Sequence, residues 1–214
     1  MAPSLTTLLM HDTIALITIL NPLAAASIMI SLIGSSAMSS TVRPIAFKTT
    51  LTIIIAGLIT LFSGEYIFKF FGINVMSIKV IGGILLMMIA INMASGNSSK
   101  SRHTPREHEE AEESEDISVV PLGIPILFGP GVIATIIVLN HNAMKSLSIL
   151  ESYAVVTVSI ILSAITTYFI LRNATYINRI LGVTGMKILT RIMGLVVGAI
   201  AAQFIISGVK GLWG

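Results

Sequence analysis

Two interruptions of apolar runs hold the residues of this chain most able to do chemistry. One is Asn21-Pro22 within LITILNPLAAASIMISL (16–32), and the other is Gly129-Pro130-Gly131 at the end of PLGIPILFGPG (121–131). Proline deletes a backbone donor and clashes with the preceding turn, so each interruption frees backbone groups. In apolar surroundings freed groups are tolerated only where protein or a water-filled cavity satisfies them. They can also serve a ligand: N–H groups at a half-helix N-terminus meet an anionic end, and freed carbonyls meet a cationic one. The residues after each break are small, with Ala26 and Ser27 in the first run and Gly131 and Thr135 in the second. Ser27 and Thr135 each follow their proline by five positions, slightly more than one helical turn. A second polar pair, Asn92 and Gln203, lies toward the ends of two other apolar runs. Carboxamides there either coordinate a solute or ion, or hydrogen-bond between helices.

The elements that must position these residues are membrane spans. The chain has 214 residues, 54% hydrophobic and 11% charged, with a mean hydropathy of +0.93, too apolar for a soluble domain of this length. Six charge-poor runs, near 13–33, 47–68, 76–95, 117–139, 152–171 and 189–208, approach the ~20 residues that a helix needs to cross a bilayer. They are continuous, unlike the short alternating segments of a membrane β-barrel. The first twelve residues carry no Lys or Arg, so a cleavable signal peptide is not expected and the first span stays in the mature protein. With no cysteine, disulfides and thiolate metal sites are excluded. Asp12 precedes the first span and is expected to meet water. Glu65 and Lys69 have the spacing of a helical ion pair.

The segment 96–116 differs in kind: it carries seven acidic residues and a proline, and it reads as a disordered linker. Its His103 and His108 read as solvated chain rather than metal ligands. The linker divides the chain into 1–95 and 117–214, and the halves resemble one another. NPLAAASI (21–28) aligns with GPGVIATI (129–136) at an offset of 108 residues. IGGILLMMIAINM (81–93) aligns with IMGLVVGAIAAQF (192–204) at an offset of 111, with Asn92 opposite Gln203. Three spans in each half require opposite insertion, the plan of inverted-repeat transporters. The expected fold is an all-α polytopic membrane protein: six transmembrane helices as two inverted three-helix repeats, with broken first and fourth helices.

Charge sets the orientation. Arg43, Lys48, Lys100, Arg102, Arg106, Arg172, Arg179, Lys187 and Arg191 lie on one side, and Lys69, Lys79, Lys145 and Lys210 on the other. The positive-inside rule puts the first group and the linker in the cytoplasm and both termini outside.

The same residues carry a resemblance. NPL (21–23), FGI (71–73) leading into KVIGGILLMMIAINM (79–93), VVPLGIPILFGPGVIAT (119–135) and RIMGLVVGAIAAQFIISGV (191–209) resemble the MarC family of bacterial inner-membrane proteins, across nearly the whole chain. The resemblance implies six spans, an inner-membrane location and, in the transporter branch, movement of small neutral amino acids such as glycine or alanine. Many relatives have Asp-Pro in the first span where this chain has Asn21-Pro22, as in the MarC branch itself. A carboxamide does not titrate, which counts against a proton-coupling role there.

The leading expectation is a secondary transporter or exporter of small neutral solutes, alternating access around the two broken helices. The expected substrate-binding residues are Asn21, Pro22, Ala26, Ser27, Gly129, Pro130, Gly131, Thr135, Asn92 and Gln203. The expected partners are a small neutral solute, amino acids foremost, a coupling ion (sodium or proton) and the lipid bilayer, with no nucleic acid. No cofactor is expected, and no metal spacing, phosphate loop or nucleophile elbow points to an enzyme. Two rivals are a non-transporting component that docks through the linker and a passive channel.

Overall fold

The computed structural model describes residues 4–34, 38–96 and 116–213, and all its regular elements are helical. They are α1 (Leu5–Leu20), α2 (Pro22–Ile33), α3 (Ser39–Phe70), α4 (Val75–Ala94), a π-helical turn (Leu122–Leu127), α5 (Pro130–Ala143), α6 (Ile149–Arg172) and α7 (Ala174–Trp213). Apart from Gly96 and Asp116, the acidic linker lies outside the described residues, as do His103 and His108.

Local chemistry sets where the helices begin. The Ser4 hydroxyl accepts from the Thr7 N–H at 3.2 Å, Asn74 Oδ1 accepts from the Ser77 N–H at 2.8 Å, and Ser148 with Glu151 forms a reciprocal capping box. The Ser4 cap starts the first helix at Leu5, eight residues before the apolar run was expected to begin. This overturns one expectation: Asp12 lies inside α1 and is only 3% exposed.

Among the described residues, five segments are long and apolar enough to cross a membrane: Leu5–Ile33, Ser40–Phe70, Val75–Ala94, Ile149–Arg172 and Thr184–Trp213. The expected fourth span, 117–139, is broken, as its prolines and glycines suggest, into the π-helical turn and the fourteen-residue α5, which is too short to count among the five. The Glu65–Lys69 pair forms as its spacing suggests, at 2.9 Å. α7 bends at Gly182, where φ is +57°, a left-handed conformation that glycine adopts without steric cost.

The first span is the central one: 67% of its apolar window is buried, against 28% for the window in Thr184–Trp213. The core joins Leu16, Leu20, Ala25 and Met29 of α1 and α2 to Val132 and Ile136 of α5, Ile160 of α6 and Ala201 of α7. Outside it, Phe47, Leu51, Ile55, Ile59, Phe62 and Tyr66 form an exposed stripe along α3 at helical spacing. In a membrane such a stripe is the lipid-facing surface.

α4 and α7 run antiparallel, and small residues bring their backbones together. A Cβ on Gly83 would lie 2.8 Å from the Ala201 carbonyl oxygen, and one on Gly194 would lie 3.0 Å from that of Ala90. Gly208 meets the Met76 carbonyl in the same way, at 2.9 Å. The contacts pass from Met76–Gly208 through Gly83–Ala201 to Ala90–Gly194, falling along α7 as they rise along α4. Close backbone approach of this kind is the usual use of small residues between membrane helices.

Candidate functional site

At the first break, Asn21 closes α1 and opens α2. It is the one non-glycine residue with positive φ among those described (φ 48°, ψ 61°), and it is 2% exposed. Its backbone N–H donates to the Ile17 carbonyl at 3.0 Å, ending α1. Its side-chain oxygen accepts from the Ala24 N–H at 3.4 Å and its carbonyl from the Ala25 N–H at 3.2 Å, starting α2. Pro22 then occupies the first helical position, where its missing donor costs nothing. Asparagine suits this junction because its short polar side chain tolerates the left-handed region and also caps the next helix. The interruption is thus a true helix end and helix start, not a bend.

The second break is longer. From Leu122 to Phe128 every second N–H bonds five residues back: Leu122 to Ile117, Ile124 to Val119, Ile126 to Pro121 and Phe128 to Gly123, at 2.8 to 3.2 Å. The Val120–Pro121 and Ile124–Pro125 peptide bonds are cis. Gly129 then precedes α5 in an extended conformation, and the Val132 and Ile133 N–H groups both donate to its carbonyl. No side chain caps α5, and Pro130 again takes the first helical position. Pro130 is exposed and Gly129 half-buried, whereas Asn21 and Pro22 are buried.

The two interrupted segments lie against each other: α1 packs on α5, and α2 on the π-helical turn. Between them Leu16, Leu20, Phe128, Val132, Ile136 and Ser163 border a void of about 10 Å³, roughly the space of one water.

The remaining expected site residues divide. Ala26 is buried beside the breaks in the core. The Ser27 hydroxyl is buried with no partner. Thr135 is fully buried, but its hydroxyl donates to the Gly131 carbonyl of its own helix at 2.7 Å. Gly131 leaves room for Leu86, whose Cδ2 lies 2.9 Å from where a Cβ would stand. Asn92 and Gln203 are exposed on the outer faces of α4 and α7. Their near-equivalence in the alignment placed them at matching depths in the halves, but the helix face is set by which side packs, and Met93 and Phe204 take the buried sides.

Met93 was not among the expected residues. Its sulfur receives the Asn21 amide at 3.7 Å, and its Cβ is 2.8 Å from the position of a Gly194 Cβ, so it links the first break to the α4–α7 seam. A second missed group lies toward the end of the molecule where α1 begins: Asp12, Lys79, Asn140 and Asn142. Lys79 is 4% exposed and donates from Nζ to Asn142 Oδ1 at 2.9 Å. Sequence spacing offers one signal for Asp12, the Ser4 cap that moves the helix start outward; Lys79 shows in the sequence only as a topology charge. On the other side of the fold, Lys48 pairs with Asp116, which also accepts from the Ser118 hydroxyl and N–H. The Lys48 ammonium, followed by Ser118, holds the Asp116 carboxyl down at about 2.

The description "MarC family integral membrane protein" matches residues 6–213, nearly the whole chain. This chain belongs to the MarC family. The "UPF0056 membrane protein" of Aquifex aeolicus is 35% identical over 199 residues, covering 93% of this chain and 91% of that protein. The "UPF0056 membrane protein YhcE" of Escherichia coli is 35% identical over 204 residues (94% and 91%), and YvbG of Bacillus subtilis is 33% identical over 207 (96% and 95%). No solved structure matches the chain. These MarC relatives are named as membrane proteins, in agreement with the five apolar helices.

Proposed function

We propose that this MarC-family chain is a secondary transporter of small neutral solutes, with amino acids such as glycine and alanine as the first class to test. It alternates access around its two discontinuous helices. The observation that carries the reading is the pair of helix breaks, Asn21-Pro22 and Gly129-Pro130, in segments that pack on one another. Freed backbone groups at matching breaks are how inverted-repeat transporters build a midplane site.

Reciprocal packing supports an inverted repeat of 1–95 and 117–214. Gly83 meets the carbonyl of Ala201 while Gly194 meets that of Ala90, and the 111-residue offset exchanges Gly83 with Gly194 and Ala90 with Ala201. The same exchange relates larger pairings. α1 packs on α6 as the π-helical turn packs on α3, α2 on α7 as α5 on α4, and α2 on α6 as α5 on α3; α3 with α6 is its own counterpart. Reciprocal contacts are the mark of a two-fold relation. The distribution of Lys and Arg favours a bacterial inner-membrane orientation with both termini outside and the linker 96–116 in the cytoplasm.

Counterflow tests this directly. Proteoliposomes loaded with unlabelled glycine or alanine should transiently accumulate the labelled solute, and a Gly129→Leu/Pro130→Ala variant that inserts normally should not. A passive channel gives flux without counterflow. Full counterflow in the variant would overturn the role of the second break.

A further inference from the structure

Toward the extracytoplasmic end of this orientation, a cleft of about 340 Å³ lies between α1 and the end of α5, lined by Thr7, His11, Asp12, Leu139, Asn142 and Ser146 among others. Its inner wall carries a buried carboxylate. One Asp12 oxygen is 3.1 Å from His11 Nδ1, while Oδ2 is buried with no hydrogen-bond partner. An unpartnered buried carboxylate oxygen is a costly arrangement that a donor-bearing ligand would relieve. Behind the opposite wall is a buried cation. Lys79 Nζ donates to Asn142 Oδ1, and with that oxygen taken the groups left to Asn142 are its amide N–H donors. The two charges do not neutralise each other. Among the described residues the ion pairs are His11–Asp12, Lys48–Asp116 and Lys69–Glu65, so Lys79 has no acidic partner within 4 Å.

One cleft therefore presents a carboxylate in need of a donor on one wall, and an amide donor backed by an ammonium on the other. A lone cation would face Lys79 and a lone anion would face Asp12. A ligand with both charges satisfies both walls. A divalent metal fits poorly, because no group of three His, Asp or Glu side chains is gathered among the described residues.

We propose that this cleft is an outer binding site for a small zwitterion, with Asp12 taking its ammonium group and Asn142, held by Lys79, taking its carboxylate. It is separate from the helix breaks and would load solute before the breaks open. It rests on the transporter reading only for its place in a transport cycle, since binding is a property of the cleft alone.

The test is equilibrium binding to the purified full-length protein in detergent, with glycine, ethylammonium and acetate as probes. Glycine should bind saturably and at least tenfold more tightly than either half-ligand. Asp12→Asn should weaken glycine and ethylammonium at least tenfold and leave acetate unchanged, and Asn142→Ala should weaken glycine and acetate but not ethylammonium. Should Asp12→Asn fail to fold, Ser146→Trp, which fills the cleft from an exposed position, should abolish glycine binding. No saturable glycine binding by the unaltered protein, or glycine binding unchanged in these variants, overturns the proposal. Counterflow separates the two readings. Asp12-dependent binding without counterflow leaves the cleft and removes the transporter. Counterflow whose half-saturation ignores Asp12→Asn leaves the transporter and removes the cleft.

Discussion

Replacing Asn21 by alanine and by glycine separates what its backbone does from what its side chain does. At φ 48° a residue with a Cβ and no local hydrogen bond carries a penalty of ~1–2 kcal/mol. Alanine also loses the side-chain cap on the Ala24 N–H, worth ~1 kcal/mol. Alanine should therefore destabilise the protein by about 2–3 kcal/mol. Glycine adopts the left-handed conformation freely, loses a few tenths of a kcal/mol as a cap and has greater freedom in the unfolded chain, for a total of ~1 kcal/mol. The site is 2% exposed, so solvent cannot take over the lost bonds. Urea unfolding in detergent micelles, followed by circular dichroism, should rank the unaltered protein above glycine and glycine above alanine. The gap between the two variants should be about 1–2 kcal/mol, close to tenfold in the unfolding constant. Alanine as stable as glycine would refute the claim that a left-handed residue divides the first span, and would point to a bent but continuous helix.

The α4–α7 seam gives a second expectation: Gly83→Ala and Gly194→Ala should each cost ~1–3 kcal/mol through overpacking against backbone. Gly198→Ala, whose Cβ would stand 3.4 Å from that of Ala90, should cost less than either in the same unfolding measurement. Asp116, held at about 2 in the fold by Lys48 and Ser118, contributes stability that is present above its ordinary unfolded value and is lost as pH falls from about 4 toward 2. Thermal unfolding should lose a small increment across that window, under ~1 kcal/mol for so exposed a pair, and Asp116→Asn should remove the difference. Because the chain has no native cysteine, orientation can be read from single replacements. Ser146→Cys should react with an impermeant maleimide added to intact spheroplasts and Thr41→Cys only after lysis; the reverse pattern would invert the topology.

The sequence by itself determined the solvent, the class of fold and the family. Long charge-free runs have no stable place in water, so their lengths alone specify membrane helices. Proline constrains its own backbone wherever it stands, which is why both breaks were legible at Asn21-Pro22 and Gly129-Pro130. The Glu65–Lys69 pair was legible for the same kind of reason, because both partners lie on one turn of one helix.

Tertiary structure decided what depends on residues distant in the chain. Hydrophobic periodicity cannot orient a helix that is apolar on every side, so Asn92 and Gln203 turned outward while Met93 and Phe204 took the packed faces. Nor could the sequence bring Lys79 to Asn142, 63 residues later, or enclose Asp12 against α5, because burial of a charge is a property of what surrounds it. Composition set which groups had to leave water, and packing set which of them were left facing one another.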